Sequence, residues 1–149
     1  MKYLGIPFAN AKRFELPVLP TKWSDVKDMT SLGKACMQIQ DHISLTGIAR
    51  LDEMSEDYLN LNVFVPHASK VSALPVMVWI YGGSFQLSSN RIYDGSYIAT
   101  MGKVIVVAIN YRLGVFGFLA TGKGTDLKGN YGMYDQIKAL EWVKDNIAG

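Results

Sequence analysis

The chain has 149 residues and a net charge of +2, from 15 basic and 13 acidic side chains. Apolar residues make up 49% and charged residues 19%, below the roughly one quarter charged of an average soluble domain. That balance excludes disorder as the main state, and a small charge without a Lys/Arg run excludes a nucleic-acid binder driven by bulk electrostatics. The longest apolar stretches, such as Val104 to Ile109, fall far short of the ~20 residues a membrane-spanning helix needs.

Residues 1 to 35 carry Pro7, Pro17 and Pro20 among short apolar clusters and read as an irregular wrap over a core. The apolar patch Tyr3 to Phe8 is broken by Gly5 and Pro7, which is too short for a secretion signal. Cys36 is the single cysteine, so no intrachain disulfide can form, and no Asn-x-Ser/Thr sequon is present. These absences fit a reducing, cytoplasmic compartment.

Leu59, Leu61, Val63 and Val65 alternate with polar residues, and this period of two predicts a strand over Tyr58 to Val65. Pro75 to Tyr81 and Lys103 to Asn110 are nearly all apolar and β-branched or aromatic. Each predicts a strand buried on both faces. Between them, Gly95 to Met101 predicts a short helix closed by Gly102, so the whole reads as a parallel βαβ unit. Residues 111 to 131 are rich in glycine and read as loop. Met133, Ile137, Leu140, Val143 and Ile147 then form one apolar stripe of a helix that packs on the sheet, with Asp135 in its first turn, Lys144 in its last and Gly149 as its stop.

The fold class is therefore α/β, a mixed and mostly parallel sheet with flanking helices. In such folds the chemistry sits where loops leave the carboxyl ends of the strands. One such junction is Tyr81-Gly82-Gly83-Ser84-Phe85. Glycines after a strand commonly make only a turn. Successive backbone N–H groups free of side chains also form a nest for an anion or a developing oxyanion. A phosphate loop does not fit, because no G-x-G-x-x-G and no following Lys are present. Gly117 to Gly124 nearly matches the nucleotide-binding pattern G-x-x-x-x-G-K-[ST]. Gly124 stands where the Mg²⁺-binding hydroxyl belongs, and no helix start follows.

Five segments in order resemble the type B carboxylesterase and cholinesterase family. They are Leu4-Gly-Ile-Pro-Phe-Ala9 with Arg13-Phe14, Met54-Ser-Glu-Asp-Tyr-Leu-Asn-Leu-Asn-Val63, Pro75-Val-Met-Val-Trp-Ile-Tyr-Gly-Gly-Ser-Phe85, Asn110-Tyr-Arg-Leu-Gly-Val-Phe-Gly-Phe-Leu119, and Gly129-Asn-Tyr-Gly-Met-Tyr-Asp-Gln136 with Ala139 to Ile147. The resemblance implies an α/β-hydrolase fold and hydrolysis of a small-molecule carboxylic ester by a Ser-His-acid triad, with no cofactor and no metal. It places the oxyanion donors at the backbone N–H groups of Gly83 and Ser84, with Gly82 allowing the turn. Ser84 stands where the family most often has glycine, so its side chain narrows the approach to the acyl group.

The same resemblance pairs Arg13 with Glu56, and Arg112 with Asp135, as structural ion pairs. It sets Cys36 against the position of Tyr58, where the family often has a second cysteine, so Cys36 is expected to be a free, packed thiol. Tyr81 is shared with cholinesterases. The Trp that those enzymes carry between the positions of Cys36 and Ser55 is absent, which favours a general carboxylesterase. The nucleophile motif G-x-S-x-G does not occur, and neither His42 nor His67 matches the family's catalytic histidine.

The chain therefore reads as the incomplete N-terminal part of a carboxylesterase type B domain, residues 1–149, inactive by itself. A non-catalytic cholinesterase-like interaction domain and a truncated structural stub are the rival readings. As part of a larger fold it should expose apolar surface, which would favour association with further copies.

Overall fold

The computed structural model describes residues 1–39, 51, 53–67, 73–122, 124 and 127–147. His42, Lys123 of the near phosphate loop, and Gly149 lie outside them. The central sheet has four strands: β1 (Lys2–Pro7), β4 (Asn60–Phe64), β5 (Val76–Trp79) and β6 (Ile105–Ile109), in the order β1-β4-β6-β5. A small parallel pair, β2 (Ala35–Cys36) with β3 (Met54–Ser55), stands apart. Among the described residues the helices are α1 (Ser96–Gly102), α2 (Gly114–Phe118) and α3 (Tyr131–Asn146), with a 3₁₀ turn at Asn90–Ile92. None of the described helices is long and apolar enough to cross a membrane.

The sheet is mixed. β5 and β6 are parallel and joined through α1, the expected βαβ unit, whereas β4 pairs antiparallel with both β6 and β1. The N-terminal stretch, irregular by its sequence pattern, forms strand β1. Its register shifts between Tyr3 and Ile6, at Gly5 with φ +70°, and this bulge hides the period of two.

β4 lies where its alternation predicts, but its polar face is not solvated. Asn60 and Asn62 are as buried as Leu61 and Val63, because the segments around Lys34 and Asn90 cover that face. Asn60 Nδ2 donates to Lys34 O and Tyr58 O, both at 3.0 Å, and Asn62 Oδ1 accepts from Gly5 N–H at 2.9 Å. Full burial of such amides is tolerated because their donors are satisfied.

β5 departs from expectation in the other direction. As the edge strand it leaves Val76, Met77, Trp79 and the adjoining Ile80 exposed, although its sequence reads as buried on both faces. The core is built by Leu61, Val107, Ile109 and Leu113 with Phe8, Tyr81 and Tyr111. Each large aliphatic side chain fully buried there contributes about 1.5–3 kcal/mol.

α1 ends as predicted, except that Lys103 rather than Gly102 takes the left-handed cap, with φ +52°. The glycine-rich pattern predicts loop where α2 forms. This helix is a single turn whose residue pattern is too short to show helical period. α3 is rotated from the expected orientation. Of the expected stripe, Val143 is buried and Ile147 packs on the core, but Met133, Ile137 and Leu140 are exposed, and Asp135, Gln136 and Ala139 face inward in their place. The inward face is chosen by Arg112, which holds Asp135 in the second turn of α3 rather than its first. Gly132 permits the approach, since a Cβ there would lie 2.4 Å from Arg112 O.

Candidate active site

The loop Gly82 to Ser88 leaves the carboxyl end of β5 immediately after Tyr81. Gly83, Ser84 and Phe85 carry φ of +128°, +54° and +58°, and Ser88 carries +105°. The oxygen of Gly83 accepts from Gln86 N–H at 2.9 Å and Leu87 N–H at 3.2 Å, which closes the turn. The special backbone thus begins at Gly83. Gly82 does not have a positive φ, and a Cβ at Gly82 would meet nothing within 4 Å. A Cβ at Gly83 would lie 2.2 Å from Leu87 O.

Among the described residues, no group accepts a hydrogen bond from the backbone N–H of Gly83 or Ser84. Ser84 and Phe85 form one wall of a cavity of about 890 Å³. Met37, Gln38, Leu113, Val115 and Phe118 line the rest, so the walls are mostly apolar. Phe85 is placed by Phe118, ring centroids 4.9 Å apart, and its carbonyl accepts from Gly114 N–H at 2.7 Å. Chemically this is a pair of unclaimed amide donors beside an apolar pocket, which suits a carbonyl oxygen that gains charge.

Behind the loop, the end of β6 is locked by a polar cluster that sequence reasoning missed. Asn110 Nδ2 donates to Lys34 O at 3.0 Å and Tyr58 O at 3.1 Å, and its Oδ1 accepts from Asn90 N–H at 2.9 Å. Asn90 Nδ2 reaches back to Asn60 O at 3.2 Å and Ala108 O at 3.3 Å. Asparagines at strand ends and turns are common, so nothing local marks Asn60, Asn90 and Asn110 as buried partners.

Both ion pairs expected from the resemblance are present, and they differ in kind. Arg112 Nε and Nη2 grip Asp135 Oδ2 and Oδ1 at 2.8 and 2.7 Å, and Arg112 N–H donates to Oδ2 at 2.9 Å. Arg112 Nη1 also donates to Glu15 O at 2.7 Å. Both side chains are buried. Burial pushes the Asp135 carboxyl up, and its hydrogen bonds from Arg112 pull the other way. Arg13 and Glu56 form a two-bonded pair, with Nε to Oε2 at 3.0 Å, but at the surface. The hydrogen bond, then the charge attraction, raises Arg13 and lowers Glu56. Neither pair touches the cavity at Ser84.

Cys36 is a free, fully buried thiol. Its sulfur accepts from Leu113 N–H at 3.3 Å, and its thiol donates to Met37 O at 3.5 Å. Burial pushes the thiol up to about 11. Tyr58, which the resemblance sets against Cys36, is likewise buried in the same core cluster. His67 sits in an exposed turn away from the cavity.

A partial α/β-hydrolase sheet with an open amide loop after its β5 edge defines the class of protein. The particular relatives follow from comparison. Residues 1–149 match the Carboxylesterase family, and the chain belongs to it. It is 46% identical to the para-nitrobenzyl esterase of Bacillus subtilis, covering 99% of this chain and 31% of that protein. It is 43% identical to an acetylcholinesterase of Danio rerio, over 97% of this chain and 25% of that one. Against a cocaine esterase of Oryctolagus cuniculus it is 46% identical, over 98% and 29%. The solved structure of a thermophilic PNB esterase superposes with a TM-score of 0.89 at 44% identity, over 99% of this chain and 32% of that one. The chain thus spans between a quarter and a third of the length of these relatives.

Proposed function

We propose that residues 1–149 supply the oxyanion loop and part of the acyl pocket of a serine carboxylic ester hydrolase, and that the nucleophile, acid and histidine come from residues outside this chain. The observation that carries this reading is the unclaimed pair of N–H groups at Gly83 and Ser84, of which Ser84 lines the apolar cavity. In ester hydrolysis the carbonyl oxygen becomes an alkoxide as the nucleophile adds. Two fixed amide donors stabilise that charge more than they stabilise the ground state, and losing one typically costs about 10²–10³ in rate. With no G-x-S-x-G in the sequence, residues 1–149 have no serine of that kind to acylate. The substrate class is a small carboxylic ester with an apolar acyl group, matching the lining of Leu113, Val115 and Phe118.

The test is a chimera in which residues 1–149 replace the matched segment of the Bacillus subtilis para-nitrobenzyl esterase. Turnover of a nitrophenyl ester by the chimera, and none by residues 1–149 alone, is the expected result. A folded chimera without activity, or turnover by the 149-residue chain that survives Ser84→Gly, overturns the reading. Within an active chimera, Ser84→Gly widens the approach to the acyl group and should shift preference among acyl chain lengths. An unchanged profile removes Ser84 from specificity.

The exposed faces of β5 and of α3 give the isolated 149-residue chain a tendency to associate. Gel filtration showing a monomer with no binding of a hydrophobic dye would contradict this.

A further inference from the structure

Gln38 belongs to none of the five segments that carry the family resemblance, and it touches the candidate oxyanion loop at a decisive place. Its carboxamide grips both backbone groups of Ser88: Oε1 accepts from Ser88 N–H at 2.7 Å, and Nε2 donates to Ser88 O at 2.9 Å. Nε2 also donates to Cys36 O at 3.0 Å. A side chain here does the work of a neighbouring strand. Among the described residues, no other group hydrogen-bonds the Ser88 backbone.

The loop needs such a grip. Ser84, Phe85 and Ser88 all hold positive φ, a conformation non-glycine residues keep only when their surroundings over-determine it. Its first end is fixed by Tyr81 in the core, and its middle by the hydrogen bond from Gly114 N–H to Phe85 O. Gln38 fixes the last end. Gln38 is itself anchored, because Cys36, two residues earlier, is fully buried and accepts from Leu113 N–H. Gln38 also lines the same cavity as Ser84.

We propose that Gln38 is a positioning residue: its carboxamide holds the Ser88 end of the loop, and thereby keeps the N–H groups of Gly83 and Ser84 aimed at the ester carbonyl oxygen. This rests on the ester-hydrolase reading above. If the grip is lost, the loop relaxes toward ordinary φ values and the donors move. A shift of about 1 Å in a catalytic constellation can cost on the order of 10² in rate.

The experiment uses the chimera with the para-nitrobenzyl esterase, with Gln38→Met and Gln38→Ala compared against the unsubstituted chimera. Methionine keeps the length and volume of glutamine but makes none of its three hydrogen bonds. The expected result is a fall in kcat of about tenfold or more in Gln38→Met, with KM within about twofold, since the donors act mainly on the transition state. Amide hydrogen exchange should show Ser88 losing protection while the amides of β4 and β6 keep theirs. Unchanged kcat in Gln38→Met overturns the proposal, as does a loss confined to KM. A Gln38→Met protein that fails to fold also overturns it, because Gln38 would then support the core rather than the loop. An inactive unsubstituted chimera is a different failure, that of the ester-hydrolase reading itself.

Discussion

Tyr81 and Tyr111 hold each other by reciprocal hydrogen bonds across the ends of the two parallel strands. Tyr111 Oη donates to Tyr81 O at 2.7 Å, and Tyr81 Oη donates to Tyr111 O at 3.2 Å. Their rings stack with centroids 4.6 Å apart. Each therefore closes the other's strand end just where the candidate oxyanion loop departs. Tyr111→Phe leaves the buried carbonyl of Tyr81 without that donor and should cost about 1–2 kcal/mol in urea unfolding. Tyr81→Phe should cost a similar amount. The double variant should lose less than the sum, since one latch is broken twice. Strict additivity would show that the two bonds act independently.

Alkaline pH should loosen this same region. Burial, reinforced by Tyr93, pushes Tyr111 up to about 12, and burial pushes Cys36 up to about 11. Both folded values lie above the ordinary ones of 10.0 and 9.0. The unfolded chain therefore gives up these protons first. The stabilisation is complete below about pH 9 and is lost as pH rises through about 11 to 12. Urea midpoints measured across that window should fall, and the fall should shrink in Tyr111→Phe.

The Cys36 thiol should be inert in the native protein, since the reactive thiolate is scarce at neutral pH and the sulfur is buried. Ellman's reagent should label it only on unfolding. Labelling without denaturant at the rate of a free cysteine would contradict the packing of Cys36 against Leu113 and Tyr58.

The two ion pairs should separate cleanly by mutation. Arg112→Ala strands the buried Asp135 carboxylate and should cost about 3–5 kcal/mol, or prevent folding. Arg13→Ala removes a solvent-exposed pair and should leave the unfolding midpoint nearly unchanged. Equal effects from the two substitutions would refute the contrast in burial.

Gly82 and Gly83 should likewise differ. Gly83→Ala drives a Cβ into the Leu87 carbonyl at a φ that alanine resists, so the loop must rearrange. Gly82→Ala meets open space and should be tolerated in stability. Comparable destabilisation by both would show that the turn is set elsewhere.

Much of the fold was legible because it rests on local pattern. The alternation from Leu59 to Val65 marked β4, and the apolar runs marked β5 and β6. The motif residues Arg13, Glu56, Arg112 and Asp135 marked both ion pairs through family resemblance. The hidden parts are those where a distant partner decides. The bulge at Gly5 concealed β1. The stripe Met133-Ile137-Leu140-Val143-Ile147 packs only at its Val143 and Ile147 end, because the buried pair Arg112–Asp135 turns the first half of α3 the other way. Asn60, Asn62, Asn90 and Asn110 look like surface amides until four separate segments converge on them.

The sequence by itself determined the family, the strands β4, β5 and β6, and the glycine-containing loop after Tyr81, because hydrophobic period and motif order are properties of neighbouring residues. Only the tertiary structure decided that Gly83 rather than Gly82 carries the turn, that β5 lies at an edge, and that Gln38 secures Ser88. Those depend on hydrogen bonds and close approaches between residues far apart in the chain, and a buried polar group takes whatever partner the fold brings to it.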